Sequence, residues 1–256
     1  MDIRNHFKQD LDLFSRFAVI WVLVTRVPLP KKCWPENIPP GNRCLSLVPL
    51  VGGIMGFMTG TFITVLKLIG IGNAVSAWAG FAFYVLSGWS IHLDGWCDVW
   101  DGIGSGKKGE ELRAVMKDSR LGAYGAIGMV IAAGLWTSAI SSLGSGSMII
   151  VCMTASASGR FAMCAAALFG NYPWNSGMGK GWVDTFTMND FIAATCCVLI
   201  FMPFAPVRGL FSVLLASLTG YSAACSMNKK LGGVNGDVLG TTAVTAEIFS
   251  LMVFSL

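Results

Sequence analysis

Charge is what this chain has least of. Only 12% of its 256 residues are Asp, Glu, Lys or Arg, whereas a soluble domain carries about a quarter. So few charges cannot cover a water-facing surface of this size, which excludes an ordinary soluble domain. Also absent is the apolar–polar alternation in roughly ten-residue segments that a transmembrane β-barrel needs. The eight cysteines (Cys33, Cys44, Cys97, Cys152, Cys164, Cys196, Cys197 and Cys225) show no metal-type pairing, and several lie inside apolar runs. They read as reduced, small packing residues. No internal repeat or low-complexity segment is visible. The mixed-charge start MDIRNHFKQDLD, with no small-residue cleavage site after the first apolar run, argues against a cleaved signal peptide. The net charge of +4 is modest and its cations lie beside apolar runs, so no nucleic acid is expected as a partner.

What is present is hydrocarbon. Hydrophobic residues make up 54% of the chain and the mean hydropathy is +0.64. They fall in blocks of about 18–25 residues, the length that crosses roughly 30 Å of lipid at about 1.5 Å per helical residue. The expected fold is all-α: one integral membrane domain over 1–256, with about seven transmembrane helices near 45–70, 73–93, 122–143, 147–170, 189–204, 208–227 and 237–256. The stretch 11–24 is too short to cross and has basic flanks, so it reads as a helix lying in the interface or re-entering from it.

The cations sort the loops. Arg26, Lys31, Lys32 and Arg43 fall in 26–43; Lys107, Lys108, Arg113, Lys117 and Arg120 in 94–120; Lys180 in 171–188; Lys229 and Lys230 in 228–236. The intervening turns offer only Arg208, with Lys67 at a span end. The positive-inside rule makes the basic loops cytoplasmic. The expected location is the cell (inner) membrane, with the active face inward and built mainly by 26–43, 94–120 and 228–237.

Chemistry collects on that face. In IHLDGWCDVWDGIGSG, Asp94, Asp98 and Asp101 stand at i, i+4 and i+7. On a helix they share an arc of about 60° over roughly 10 Å. Carboxylates one turn apart can share a hard cation, Mg²⁺ or Mn²⁺; their bland reading is a solvated helix end balanced by Lys107 and Lys108. DSRLG places Asp118, Ser119 and Arg120 just before a span N-terminus, either as a phosphate seat or as a simple cap. Arg160 lies mid-span, to contact an anion or to pair with a buried acid such as Glu247. The turn LGGVNGDVLG brings Asp237 to the same face, and His92 precedes the acid cluster as a proton carrier or an interfacial residue.

TRVPLP (Thr25–Pro30), VPLVGG (Val48–Gly53), HLDGWCDVWDG (His92–Gly102), KDSRLGAYG (Lys117–Gly125) and LGGVNGDVLG (Leu231–Gly240), in this order and spacing, resemble the cobalamin synthase family, the adenosylcobinamide-GDP ribazoletransferases. The resemblance runs over almost the whole chain. It implies a phosphotransferase of late vitamin B12 biosynthesis that joins adenosylcobinamide-GDP to α-ribazole or its 5′-phosphate, releases GMP and requires Mg²⁺. Carried over by residue, it makes Asp94, Asp98 and Asp101 the metal-binding acids. Asp118 and Arg120 fall in the family's second motif, and Asp237 in its last. Ser119, Arg160 and Arg26 complete the expected phosphate-binding set, with Asp118 as first choice of base and His92 as second. The chain departs from the family pattern at Tyr172–Gly179, which lacks the expected charges, and at Val244, where an acid is usual. Membrane lipid is an expected partner, and both homo-oligomers and association with other late cobalamin enzymes are compatible. Rival readings are a CDP-alcohol phosphotransferase, an aspartate-rich membrane prenyltransferase and, from another class, an ion-coupled transporter. The Asp98-x-x-Asp101-Gly102 match to the first of these lacks the residues that should follow.

Overall fold

The computed structural model describes residues 11–34, 43–177 and 179–256, and among them there is no strand. Eleven α-helices are found: α1 (Leu13–Val24), α2 (Val48–Leu68), α3 (Asn73–Tyr84), α4 (Ser90–Gly104), α5 (Gly109–Met116), α6 (Ala123–Ser142), α7 (Met148–Phe169), α8 (Lys180–Val183), α9 (Met188–Leu199), α10 (Pro206–Lys230) and α11 (Gly236–Ser255). Their boundaries follow local chemistry. Pro49 and Pro206 open α2 and α10, where a missing N–H costs nothing. Thr187 and Asp190 form a reciprocal capping box on α9, and Asn235 caps α11 by accepting from the Val238 N–H at 3.0 Å. A π-helical turn, Val85–Trp89, joins α3 to α4, with Gly88 at φ 149°.

Six helical segments among the described residues are long and apolar enough to cross a membrane: Cys44–Leu68, Asn73–Gly104, Ala123–Ser142, Ser145–Phe169, Pro206–Lys230 and Gly236–Ser255. The span expected at 189–204 is shorter than the others. It is the 12-residue α9 followed by a 3₁₀ turn, Met202–Phe204, broken near Pro203. It still carries the chain from one end of the bundle to the other. Asp190 at its start lies 3.6 Å from Arg43, whereas Met202 near its end packs against Gly209. The 12-residue α1 is also too short to cross. Its outer residues Leu13 and Phe14 are exposed while Ile20, Trp21 and Val24 are buried.

The loops expected to share a face do meet. The Val234 N–H donates to the Asn171 carbonyl at 2.8 Å and the Arg26 N–H to the Ser87 carbonyl at 2.7 Å. Arg113 stacks 4.3 Å over Trp174. At the opposite end Lys67 reaches the Leu143 carbonyl and Arg208 the Phe254 carbonyl.

Helix α7 is the axis of the bundle. Every residue from Thr154 to Ala167 is buried, with α2, α10 and α11 packed around it. Water exclusion cannot drive helices together inside lipid, so close backbone approach has to do so. Small residues permit it: a Cβ at Gly60 of α2 would lie 2.7 Å from the Ile149 Cα, and one at Gly159 of α7 would lie 2.7 Å from the Ala243 carbonyl oxygen. Large apolar side chains such as Leu210, Leu214 and Leu218 are left facing outward, as a lipid-facing surface requires.

Gly60→Val should therefore lower the thermal midpoint in detergent by several degrees or prevent folding, since overpacking costs about 1–3 kcal/mol or more. Gly134→Val, whose Cβ would meet nothing within 4 Å, carries the same change in helix propensity without the clash. Equal midpoints for the two variants would contradict the packing described.

Candidate active site

The acids of α4 are brought into a site by the close passage of α11. Gly95 is the point of contact, because a Cβ there would lie 2.8 Å from the Asp237 Cα. The Thr241 hydroxyl locks the crossing by donating to the Gly95 carbonyl at 3.0 Å and to the Asp237 carbonyl at 2.9 Å. Asp237 thus joins the α4 cluster, and the Asp98 carboxyl faces the charges of Asp237, Asp94 and Asp101. Asp94 is exposed, while Asp98 and Asp237 are half-buried. The Asn235 amide that follows the glycine turn donates to Asp237 Oδ2 at 2.7 Å. No signal in the sequence beyond the surrounding glycines, Gly232, Gly233 and Gly236, pointed to that contact.

The three α4 aspartates do not act alike. Asp101 was expected beside the other two as a metal ligand, but both of its oxygens are engaged elsewhere. Oδ2 accepts from the Gly122 N–H and Oδ1 from the Gly125 N–H, each at 2.8 Å. It therefore caps α6 from a different helix. The same two bonds occupy the span N-terminus that the sequence offered as a phosphate seat. Among the described residues no group of three or more His, Cys, Asp and Glu side chains converges as a metal cage. What remains is Asp94 and Asp98 on adjacent turns, with Asp237 beside them. All of these donors are oxygen, which suits a small hard cation that takes one or two carboxylates and fills its other positions with phosphate and water.

The DSRLG segment forms a rim. Arg120 donates through Nε and Nη2 to both Asp118 oxygens, the shortest bond being 2.6 Å. The Arg120 guanidinium and backbone N–H together pull the Asp118 carboxyl down to about 2. A carboxyl so low is a poor proton acceptor at neutral pH, which counts against Asp118 as the base. Its stabilising pairing is complete above the ordinary Asp range and fades only as pH falls through about 2. Lys117, Asp118, Ser119 and Arg120 line a groove of about 890 Å³ together with Asp94 and Asp98.

Three expected site residues lie elsewhere or on a second cavity. His92 is buried under the α4–α11 crossing, its backbone against Gly240, and its Nε2 has no hydrogen-bond partner. Arg160 is fully buried in the core. It bonds Glu247 at 2.9 Å, Ser156 Oγ at 2.9 Å and the Tyr84 hydroxyl, while Tyr84 and the Trp136 indole also donate to Glu247. Of the two readings the sequence left open for Arg160, the geometry matches the internal pair. Arg26 lines a cleft of about 500 Å³ with Thr25, Ser90, Ile91 and Asp94. At this cleft the Thr25–Arg26 backbone packs against the π turn. A Cβ at Gly88 would stand 2.6 Å from the Thr25 Cα, and π turns of this kind recur at functional sites.

The atypical Tyr172–Gly179 segment has its own means of reaching the face. In place of charges it offers Trp174, stacked under Arg113 at 4.3 Å and Lys117 at 5.7 Å. Met178 lies outside the described residues.

A family model described as cobalamin-5-phosphate synthase matches residues 16–255. Among curated proteins, the adenosylcobinamide-GDP ribazoletransferase of Clostridium acetobutylicum is 27% identical, the match covering 93% of this chain and 95% of the relative. The enzyme of that name from Rhizobium johnstonii is also 27% identical, over 89% and 91%. That of Syntrophobacter fumaroxidans is 28% identical, over 93% and 97%. No solved structure matches the chain.

The division of labour among the aspartates has a measurable signature. Asp101→Ala removes two caps from α6 and should cost about 1–2 kcal/mol, seen as a lower thermal midpoint in detergent. Asp98→Asn removes a charge that faces three others of the same sign, so its midpoint should hold or rise. A fall at Asp98 matching that at Asp101 would refute the assignment.

Proposed function

The chain belongs to the cobalamin-5-phosphate synthase family, and we propose that it transfers the adenosylcobinamide-phosphate group from adenosylcobinamide-GDP to α-ribazole or its 5′-phosphate. It is a transferase of cobalamin synthesis; the two substrates and the metal are our own reading. The observation that carries this reading is the set of oxygen donors, Asp94 and Asp98, that share one groove with the cations Lys117 and Arg120. A groove lined by both acids and cations suits a metal-bound pyrophosphate.

In the proposed reaction a ribose hydroxyl of the acceptor attacks the phosphorus next to the aminopropanol arm. The bond from that phosphorus to the bridging oxygen breaks, and GMP leaves with the electron pair. Asp94 and Asp98 would hold Mg²⁺, which when bound draws charge from the pyrophosphate oxygens. Lys117 and Arg120 offset the negative charge that builds on the phosphate, and Asp118 holds the Arg120 guanidinium in the orientation described. The hydroxyl proton passes to a carboxylate of the α4–α11 cluster, since Asp118 is too weak a base.

We place the site on the cytoplasmic side of the cell membrane. The basic loops gather at the same end as the acids, in the sense of the positive-inside rule, and nucleotide-activated substrates and Mg²⁺ are available there.

The test is GMP release by purified protein given adenosylcobinamide-GDP, α-ribazole and Mg²⁺. Release should need all three and should stop with EDTA and resume with added Mg²⁺. It should fall to the level without enzyme in Asp98→Asn while that variant stays folded. Wild-type turnover by Asp98→Asn would sink the metal assignment, and no release by the wild type would sink the reaction.

A further inference from the structure

Among the described residues, Asp94 is the one acid that lines both cavities. At about 100° per residue, Ile91 projects roughly 60° to one side of it on α4, whereas Cys97 and Leu93 project roughly 60–100° to the other. Ile91 lines only the 500 Å³ cleft, and Leu93 and Cys97 line only the 890 Å³ groove. The carboxylate therefore stands on a ridge between two spaces of different character. The cleft is the smaller and more polar of the two, with Thr25 and the exposed Arg26 set beside Val22, Leu23 and Val24. The groove is cationic at its mouth and apolar below, where Leu93, Cys97 and Met129 line it. Both volumes fall in the range that holds a nucleotide-sized ligand, about 300–1,000 Å³, and neither would hold a whole corrinoid.

In-line phosphoryl transfer needs this arrangement, because the attacking and leaving oxygens must lie on opposite sides of the phosphorus. We propose that the two substrates are divided between the cavities: the GMP moiety of the donor lies in the Arg26 cleft, and α-ribazole enters the groove with its flat, apolar heterocycle against Leu93, Cys97 and Met129. The reacting phosphorus then sits over Asp94, and the corrinoid stays outside both spaces at the membrane face. The guanidinium matches the phosphate of the leaving nucleotide, and the apolar wall matches a benzimidazole rather than a charged group. The assignment rests on the proposed reaction and adds a location for each partner. It makes Arg26 specific for the donor and Met129 for the acceptor.

Steady-state GMP release, with each substrate varied in turn, tests the division. Direct binding of GMP without acceptor is a second readout. Arg26→Gln should raise the KM for adenosylcobinamide-GDP and weaken GMP binding, each by about tenfold or more, with the KM for α-ribazole within about twofold of wild type. Met129→Trp, which fills the groove, should raise only the KM for α-ribazole and leave GMP binding unchanged. If Met129→Trp does not fold, Val130→Phe serves, because Val130 lines the same groove and is 72% exposed. A reversed pattern, or both KM values moving together in each variant, overturns the division while leaving the reaction standing. Failure of the wild type to release GMP overturns both.

Discussion

The buried pair of Arg160 and Glu247 is the constraint on which the rest of the bundle depends. Neither charge could remain in hydrocarbon alone, so α7 and α11 are held at the one register where the two meet at 2.9 Å. Tyr84 from α3 and Trp136 from α6 complete the ring of donors around Glu247, so four helices share one level. That level propagates. Asp237 lies ten residues before Glu247 on α11, which is about 15 Å along a helix. Setting Glu247 therefore sets the height of Asp237, and Asp237 fixes α4 through the contact with Gly95. Tyr84 reaches α4 by the other route, through the π turn that follows it. The acid cluster is thus positioned from two sides by an ion pair that touches no substrate.

A second tie holds the rim. Asp101 accepts from two N–H groups of α6, so the start of that helix is pinned to the end of α4. The connecting segment between them has to fold back across the acids. This places Lys117 and Arg120, both exposed, along the same groove as Asp94 and Asp98. Trp174 then packs under Arg113 and Lys117 and joins the third basic loop to the second. Through its bonds to α6, Asp101 shapes the groove, because it determines where the cations can be.

How much of this the sequence showed follows from the range of each force. Membrane thickness imposes helix length, and length with hydropathy is local, so six of the seven expected spans appear as long helices. The seventh, 189–204, appears as the shorter apolar helix Met188–Phe204, and hydropathy did not register the 3₁₀ turn Met202–Phe204 within it. The periodicity of α4 gathered Asp94, Asp98 and Asp101 on one arc for the same local reason. What periodicity could not reveal was that Asp101 bonds to residues more than twenty positions away, or that the backbone of α11 presses on Gly95. Both are tertiary facts, and a glycine inside an acidic helix was their only trace. Arg160 lies between these cases. Its depth was legible, and Glu247 was one of its two candidate partners, but the choice depended on a register that only the packed bundle supplies. His92 looked chemical because it adjoins the acids, yet one residue of helical rotation turns it away from Leu93 and Asp94 and under α11.

Length also explains how a chain this apolar can handle phosphate. The helical run Asn73–Gly104 has 32 residues, or about 48 Å at 1.5 Å per residue, against roughly 30 Å of hydrocarbon. Starting from Asn73 at the far end, the hydrocarbon is exhausted after about twenty residues, close to Asp94. The excess therefore carries Asp94, Asp98 and Asp101 out to the headgroup level, where an ionised carboxylate is hydrated on one side and framed by helices on the other. An acid three turns earlier would need a buried partner, as Glu247 does. Acids at this height can meet a charged substrate that never leaves water, while the apolar floor of the groove descends toward Phe81 and Trp78 below them. The overlong helix thus lets a membrane-embedded fold present both a polar reaction centre and an apolar wall on one side of a single element.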